Sequence, residues 1–268
     1  MKLKQVPAQR GAIWVRQGFA AFMLRPIAFS SLFTLFVFYF FMTLLVPFVG
    51  PLLLLVSLPL VTLGFMIATQ RALKGELPMP TVFIEPLRRS RAQTVALFRL
   101  GLIYAVSLFL IVTLIDVLDG GKFQAFQEAL AAGKPEGVEP MLQDTQLLFS
   151  ILLRMGLTSL LSVPFWHAPT LVHWGGMSAG KALFASTVAC WRNKGAFLLF
   201  GLAWTALIML VSVAVNLLMI VLGQPQGVAL MAVPAALLFT TVFYTSLFFT
   251  FADCFEVQPP TPPPSPSV

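Results

Sequence analysis

Two uncharged apolar runs constrain this chain more than any other feature: Ile27 to Gln70 and Gly195 to Ala252 contain no Asp, Glu, Lys or Arg. A bilayer core ~30 Å thick is crossed by a helix of ~20 residues. Each run is therefore long enough for two crossings, and each is interrupted where a turn belongs, by Pro47, Gly50 and Pro51 in the first and by Gly223, Pro225 and Gly227 in the second. With 58% hydrophobic and only 10% charged residues, too little polar surface remains to cover a soluble core. The apolar stretch after Arg25 is too long for a signal-peptide core and lacks a small-residue cleavage site, so it is expected to be retained as the first span.

Six spans are predicted, at about 27–46, 52–68, 94–117, 146–171, 196–222 and 228–252. They form one transmembrane domain over 27–256, preceded by a basic interfacial segment at 1–26 and followed by a disordered Pro-rich tail at 257–268. The fold class expected is an all-α bundle of three hairpin-like units with short amphipathic helices at the interface. The units share a plan: a semi-amphipathic entry (Ile13–Arg25, Phe83–Arg91, Ala182–Arg192), a span, a turn, then a span carrying Pro59, Pro164 or Pro234. In the first entry, Gln9, Arg10, Arg16 and Gln17 fall on one helical face and Val15, Phe19, Phe22 and Met23 on another, which suits a helix in the headgroup plane anchored by Trp14. A further short amphipathic helix is expected at Phe123–Ala132, ended by Gly133 and Pro135.

Charge distribution sets the expected orientation. Lys2, Lys4, Arg10, Arg16 and Arg25 lie before span one, and Arg71, Lys74, Arg88, Arg89, Arg91 and Arg99 lie between spans two and three. Lys181, Arg192 and Lys194 lie between spans four and five. The opposite side offers only Lys122 and Lys134, in a stretch that also holds Asp119, Glu128, Glu136, Glu139 and Asp144. Basic loops mark the cytoplasm, so both termini are expected there. The net charge of +7 then reads as attraction to anionic headgroups through Arg16, Arg25, Arg88, Arg89, Arg91, Lys181 and Arg192, with no nucleic-acid partner. Cys190 and Cys254 are expected as free thiols.

Polar groups inside spans are the candidate sites. Arg154 is the most expensive: a charge at a helix centre costs about 2.5–3.5 kcal/mol on insertion scales. It can snorkel outward, pair with Asp116 on an antiparallel span three, or line a pathway. Asp253 can pair with Arg192 or Lys194. Asn216 and Thr62 can bond across helices. His167 and His173 are spaced too far apart to stack as two ligands on one helix face and read as interfacial side chains with a single hydrogen bond. No phosphate loop, zinc pattern or nucleophile elbow is present, so no cofactor, no metal and no enzymatic activity are expected. The leading expectation is a membrane component associating with lipid or with other membrane proteins. The alternative is a transporter or channel for small molecules or ions.

Several stretches occur as a set: Trp14-Val-Arg-Gln-Gly-Phe19; Leu63-Gly-Phe-Met66 with Arg71, Gly75-Glu76, Pro80 and Pro86-Leu-Arg88; Phe165-Trp-His-Ala-Pro169 with Leu171-Val172 and Trp174; and Lys181-Ala-Leu-Phe184 leading to Arg192-Asn193. Together, across most of residues 10–255, they resemble the BPSS-type family of bacterial integral membrane proteins. The resemblance implies a bacterial inner-membrane location and supplies no reaction. In that family the last span tends to end in an aromatic-Arg-Asp step, whereas Phe251-Ala-Asp253 lacks the arginine.

Overall fold

A computed structural model of the chain describes residues 1–132, 138, 140–224 and 227–256. The expected tail at 257–268 and the expected stop at Gly133 and Pro135 lie outside the described residues. Eleven helices are described: α1 (Arg10–Leu24), α2 (Pro26–Leu44), α3 (Val49–Leu73), α4 (Glu85–Arg88), α5 (Arg91–Asp119), α6 (Lys122–Ala131), α7 (Thr145–Phe165), α8 (Ala168–His173), α9 (Ala179–Arg192), α10 (Lys194–Val221) and α11 (Gly227–Cys254). A 3-10 turn at Pro80–Phe83 precedes α4. Six segments are long and apolar enough to cross a membrane: Pro26–Leu44, Val49–Leu73, Arg91–Asp119, Thr145–His173, Lys194–Val221 and Leu230–Cys254. The protein is an all-α, six-span membrane protein.

The proline of each second span sits inside its helix: Pro59 in α3, Pro164 in α7 and Pro234 in α11. Each ring removes one backbone donor from the helical ladder. At Pro164 the consequence is visible, because α7 stops at Phe165 and a separate helix, α8, begins at Ala168. Ser186 on α9 pins this break. Its Oγ donates to the Val163 carbonyl at 3.0 Å and accepts from the His167 backbone N–H at 3.0 Å. A broken helix inside a bilayer persists where a neighbour supplies such groups.

Packing centres on α3, which lies against α2, α5 and α11, while α7 packs on α5 and α9. The third hairpin is different. Helices α10 and α11 barely touch each other, and each instead packs closely on α1. The buried residues of α1 are Gly11, Trp14, Val15, Gly18, Ala21 and Phe22, a stripe at helical spacing. This stripe meets protein where lipid headgroups were expected, and Trp14 is 0% exposed rather than an interface anchor. The physical reason is the pair of glycines. A Cβ on Gly11 would fall 2.1 Å from the Ala196 carbonyl oxygen, and one on Gly18 would fall 2.6 Å from Ser246 Cβ. Bare backbone therefore lets α1 wedge between the two spans.

The ends of the chain are stitched together beside this wedge. Lys2–Leu3 (β1) pairs antiparallel with Phe255–Glu256 (β2), Lys2 facing Glu256 and Leu3 facing Phe255. Asn193, at the start of α10, accepts from Val6 N–H at 2.8 Å and donates to the Lys4 carbonyl at 3.0 Å. Of the three expected entries, the first and third are full helices (α1 and α9), whereas 83–91 holds the end of the 3-10 turn, the short α4 and the first residue of α5.

Candidate functional site: a cleft between the second and third hairpins

Helix α7 makes no contact with α10 or α11 comparable to those with α5 and α9. The space left between them is the candidate site. Its inner part is a cavity of about 420 Å3 reached by α3, α5, α7 and α11 and lined by Pro59, Thr62, Tyr104, Thr158, Ser159, Ser162, Phe165, Trp166, Phe243 and Tyr244, with Leu58 and Leu247. Its lateral part, of about 860 Å3, lies between α7, α9 and α10 and is lined by Val163, Cys190, Trp191, Lys194, Gly195, Phe197, Leu198, Phe200, Gly201 and Trp204. Ser159, Ser162, Trp166 and Phe243 line both parts.

Local folding fixes the character of each wall. On α7 the hydroxyls bond back to their own helix: Thr158 Oγ1 donates to the Arg154 carbonyl at 2.7 Å and Ser162 Oγ to the Ser159 carbonyl at 2.6 Å. Thr62 does the same toward Leu58 at 3.1 Å. These oxygens keep lone pairs for a ligand donor without leaving a bare proton in an apolar setting. Trp166 is held by its indole N–H, which donates to Thr250 Oγ1 at 3.2 Å, and by edge contacts with Phe197, Phe200 and Phe243. Tyr244 stacks on Phe65 at 4.8 Å, and Tyr104 meets Phe165 edge-on at 5.1 Å. Burial pushes the Cys190 thiol up to about 12, against the opposing effect of a hydrogen bond with Ser186. It is a wall group and a poor nucleophile at neutral pH. Among the described residues Lys194 is the one charged side chain of either part, its ammonium 5.3 Å from the centre of the Trp191 ring. The lining presents hydroxyls, aromatic faces and one cation among the described residues.

The polar residues singled out from sequence are brought into different places. Arg154 reaches Asp116 at 2.7 Å and Asp119 at 3.8 Å, and its guanidinium lies 4.1 Å over the Phe123 ring of α6. Asp119, Ser150 and Phe123 were not anticipated there. Ser150 Oγ donates to Asp119 Oδ2 at 2.6 Å, and Gly121 N–H donates to Asp119 Oδ1 at 2.9 Å. Next to this cluster, Lys122 bridges to Asp144 at 2.5 Å. None of these groups lines the cleft.

Asp253 pairs with neither Arg192 nor Lys194. Its Oδ2 accepts from Arg10 Nε at 2.6 Å and from Trp14 Nε1 at 2.6 Å, because the wedge position of α1 brings both donors to the end of α11. The carboxylate without an arginine beside it in sequence thus receives one from the other end of the chain. His167 is wholly buried, packed on Phe197, Phe251 and Phe255, with no hydrogen-bond partner at either ring nitrogen among the described residues. The single hydrogen bond expected of the His167 ring is thus not made among the described residues, because the aromatic rings around it offer no acceptor or donor. Asn216 bonds to its own helix, at the Ser212 carbonyl (2.8 Å), and not across helices. Arg16, Arg25, Arg88, Arg89, Arg91, Lys181 and Arg192 are all exposed. Arg25 donates to the Gly75 carbonyl at 3.1 Å and Arg89 to the His173 carbonyl at 3.3 Å. Among the described residues no three His, Cys, Asp or Glu side chains gather as metal ligands.

The chain is similar over its whole length to a probable inner membrane protein of Burkholderia thailandensis: 34% of residues are identical over 269 aligned residues, spanning 100% of this chain and 98% of the relative. No family profile matches the chain, and no solved structure matches it.

Proposed function

The chain belongs to the same family as that Burkholderia thailandensis probable inner membrane protein, and from this premise we propose a non-enzymatic inner-membrane component that associates with lipid, its cleft taking an amphipathic lipid from the side. The observation that carries the reading is the lateral part of the cleft, about 860 Å3 bounded mainly by apolar and aromatic side chains, with Lys194 as its one charge among the described residues. Concave, mostly apolar sites with few polar groups are the usual form of a small-molecule site. The motifs from Trp14 to Asn193 support the narrower BPSS-type grouping, and the surplus of exposed basic residues supports cytoplasmic termini. Purification of the full chain after mild detergent extraction tests the reading: a reproducible bound lipid is expected, and repeated recovery of protein free of lipid counts against it. Reporter fusions test the orientation; a cytoplasmic signal at Gly121 with an external one at Gly175 would reverse it.

The hydroxyl-lined inner cavity of about 420 Å3, with Pro59 in its wall, favours a second reading, a transporter of small polar or amphipathic solutes. Proteoliposome flux lost on Thr62→Leu and Ser162→Leu would put that reading first.

A further inference from the structure

We propose that the lateral cleft selects an anionic phospholipid, with its phosphate against Lys194 and one acyl chain running along α10 past Phe197 toward Gly201. This rests on the lipid reading above and names the class of lipid. The order of chemistry along the cleft matches the order along such a molecule. At one end stand the Lys194 ammonium and the exposed Trp191 ring, a cation and an amphipathic aromatic of the kind found at headgroup level. Gly201 lies two helical turns on, ~10 Å deeper at 1.5 Å per residue, and the walls between are Phe197, Trp166 and neighbouring apolar groups. A Cβ on Gly201 would meet nothing within 4 Å, so the space beside it is open for a chain.

Charge decides between anionic and zwitterionic lipids. Neither Lys194 nor Arg192, two residues before it, has a carboxylate partner among the described residues. The two acids at the end of α11 and in β2 are already engaged, Asp253 by Arg10 and Glu256 by Lys4. A phosphate in that position neutralises a cation that the protein leaves uncompensated. A zwitterionic headgroup brings its own ammonium and gains less.

The test is native mass spectrometry of the full chain released from bilayers of phosphatidylglycerol and phosphatidylethanolamine in known ratio. Wild type and Lys194→Arg should carry phosphatidylglycerol enriched about fivefold over the bulk ratio, the size expected of one basic residue at an anionic surface. Lys194→Gln should carry lipid at the bulk ratio. Millimolar inorganic phosphate should leave the enrichment unchanged, since the site holds a lipid and not a free anion. Lipid bound at the bulk ratio in wild type, or enrichment that survives Lys194→Gln, overturns the selectivity while leaving the lipid reading standing. No bound lipid in any form overturns both.

Discussion

The two acids that meet Arg154 are not equivalent. Asp116 is 48% exposed, whereas Asp119 is 2% exposed and is also held by Ser150 and the Gly121 N–H. Removing one member of a buried pair leaves the other charge uncompensated and costs about 3–5 kcal/mol, while an exposed pair is worth about 0–1 kcal/mol. Arg154→Leu is therefore expected to destabilise strongly, Asp116→Leu weakly, and Arg154→Leu with Asp119→Leu to recover much of the loss. Thermal unfolding of the detergent-solubilised variants measures this, and additive losses in the double variant would reject the pairing. Arg154 and Asp116 were legible in the sequence because a charge inside an apolar run demands a partner. Asp119 was legible in principle, three residues beyond Asp116 on the same helical face. It was read as loop because α5 runs on to Asp119, past the apolar pattern. The back-bonding of Asn216 and Thr62 had no signal, since a polar residue in a span fits either partner.

At the scale of elements, Val15 and Phe22 of the expected apolar face of α1 are buried while Met23 is exposed, and the partner of that face was not readable. Periodicity reports that one face is apolar; it does not distinguish lipid from α10 and α11. The distinguishing signal was Gly11 and Gly18 within the stripe, which lipid does not require and close helix packing does. Gly18→Leu should expel α1 from its wedge and lower stability by about 1–3 kcal/mol, the usual range for overpacking. Gly156→Leu, at a helical position where a Cβ meets nothing within 4 Å, should leave stability unchanged. Equal melting temperatures for the two variants would remove the wedge. Helix α7 has a pH-sensitive start. Asp144 caps it by accepting from Gln146 N–H at 2.8 Å and Leu147 N–H at 3.3 Å. The hydrogen bond from Lys122, together with these N–H groups, holds its carboxyl below the ordinary 3.8 despite a smaller opposing effect of burial. The cap's contribution is thus fully present above about pH 4 and is lost as pH falls through the lowered folded-state value. Wild type should lose more stability than Asp144→Asn between pH 5 and pH 2, and parallel curves would contradict the cap.

At the scale of the whole molecule, six spans followed from apolar run lengths and hinge residues alone, and the structure carries six such segments. The cleft did not follow. It arises because α1 takes the space between α10 and α11 while α7 stays with α5 and α9, an outcome of packing among helices whose compositions are nearly interchangeable. Trp166, Phe200 and Gly201 line the cleft, and nothing in their local sequence separates a cleft wall from a lipid-facing surface. The central claim, a lipid held in that cleft, is tested most directly by counting lipid bound per protein in wild type, Gly201→Leu and Gly156→Leu after identical extraction. Both substitutions place a leucine at a helical glycine with open space around its Cβ, but only Gly201 lines the cleft. Loss of bound lipid in Gly201→Leu, with wild-type occupancy retained in Gly156→Leu, is the predicted result. Undiminished occupancy in Gly201→Leu would contradict it.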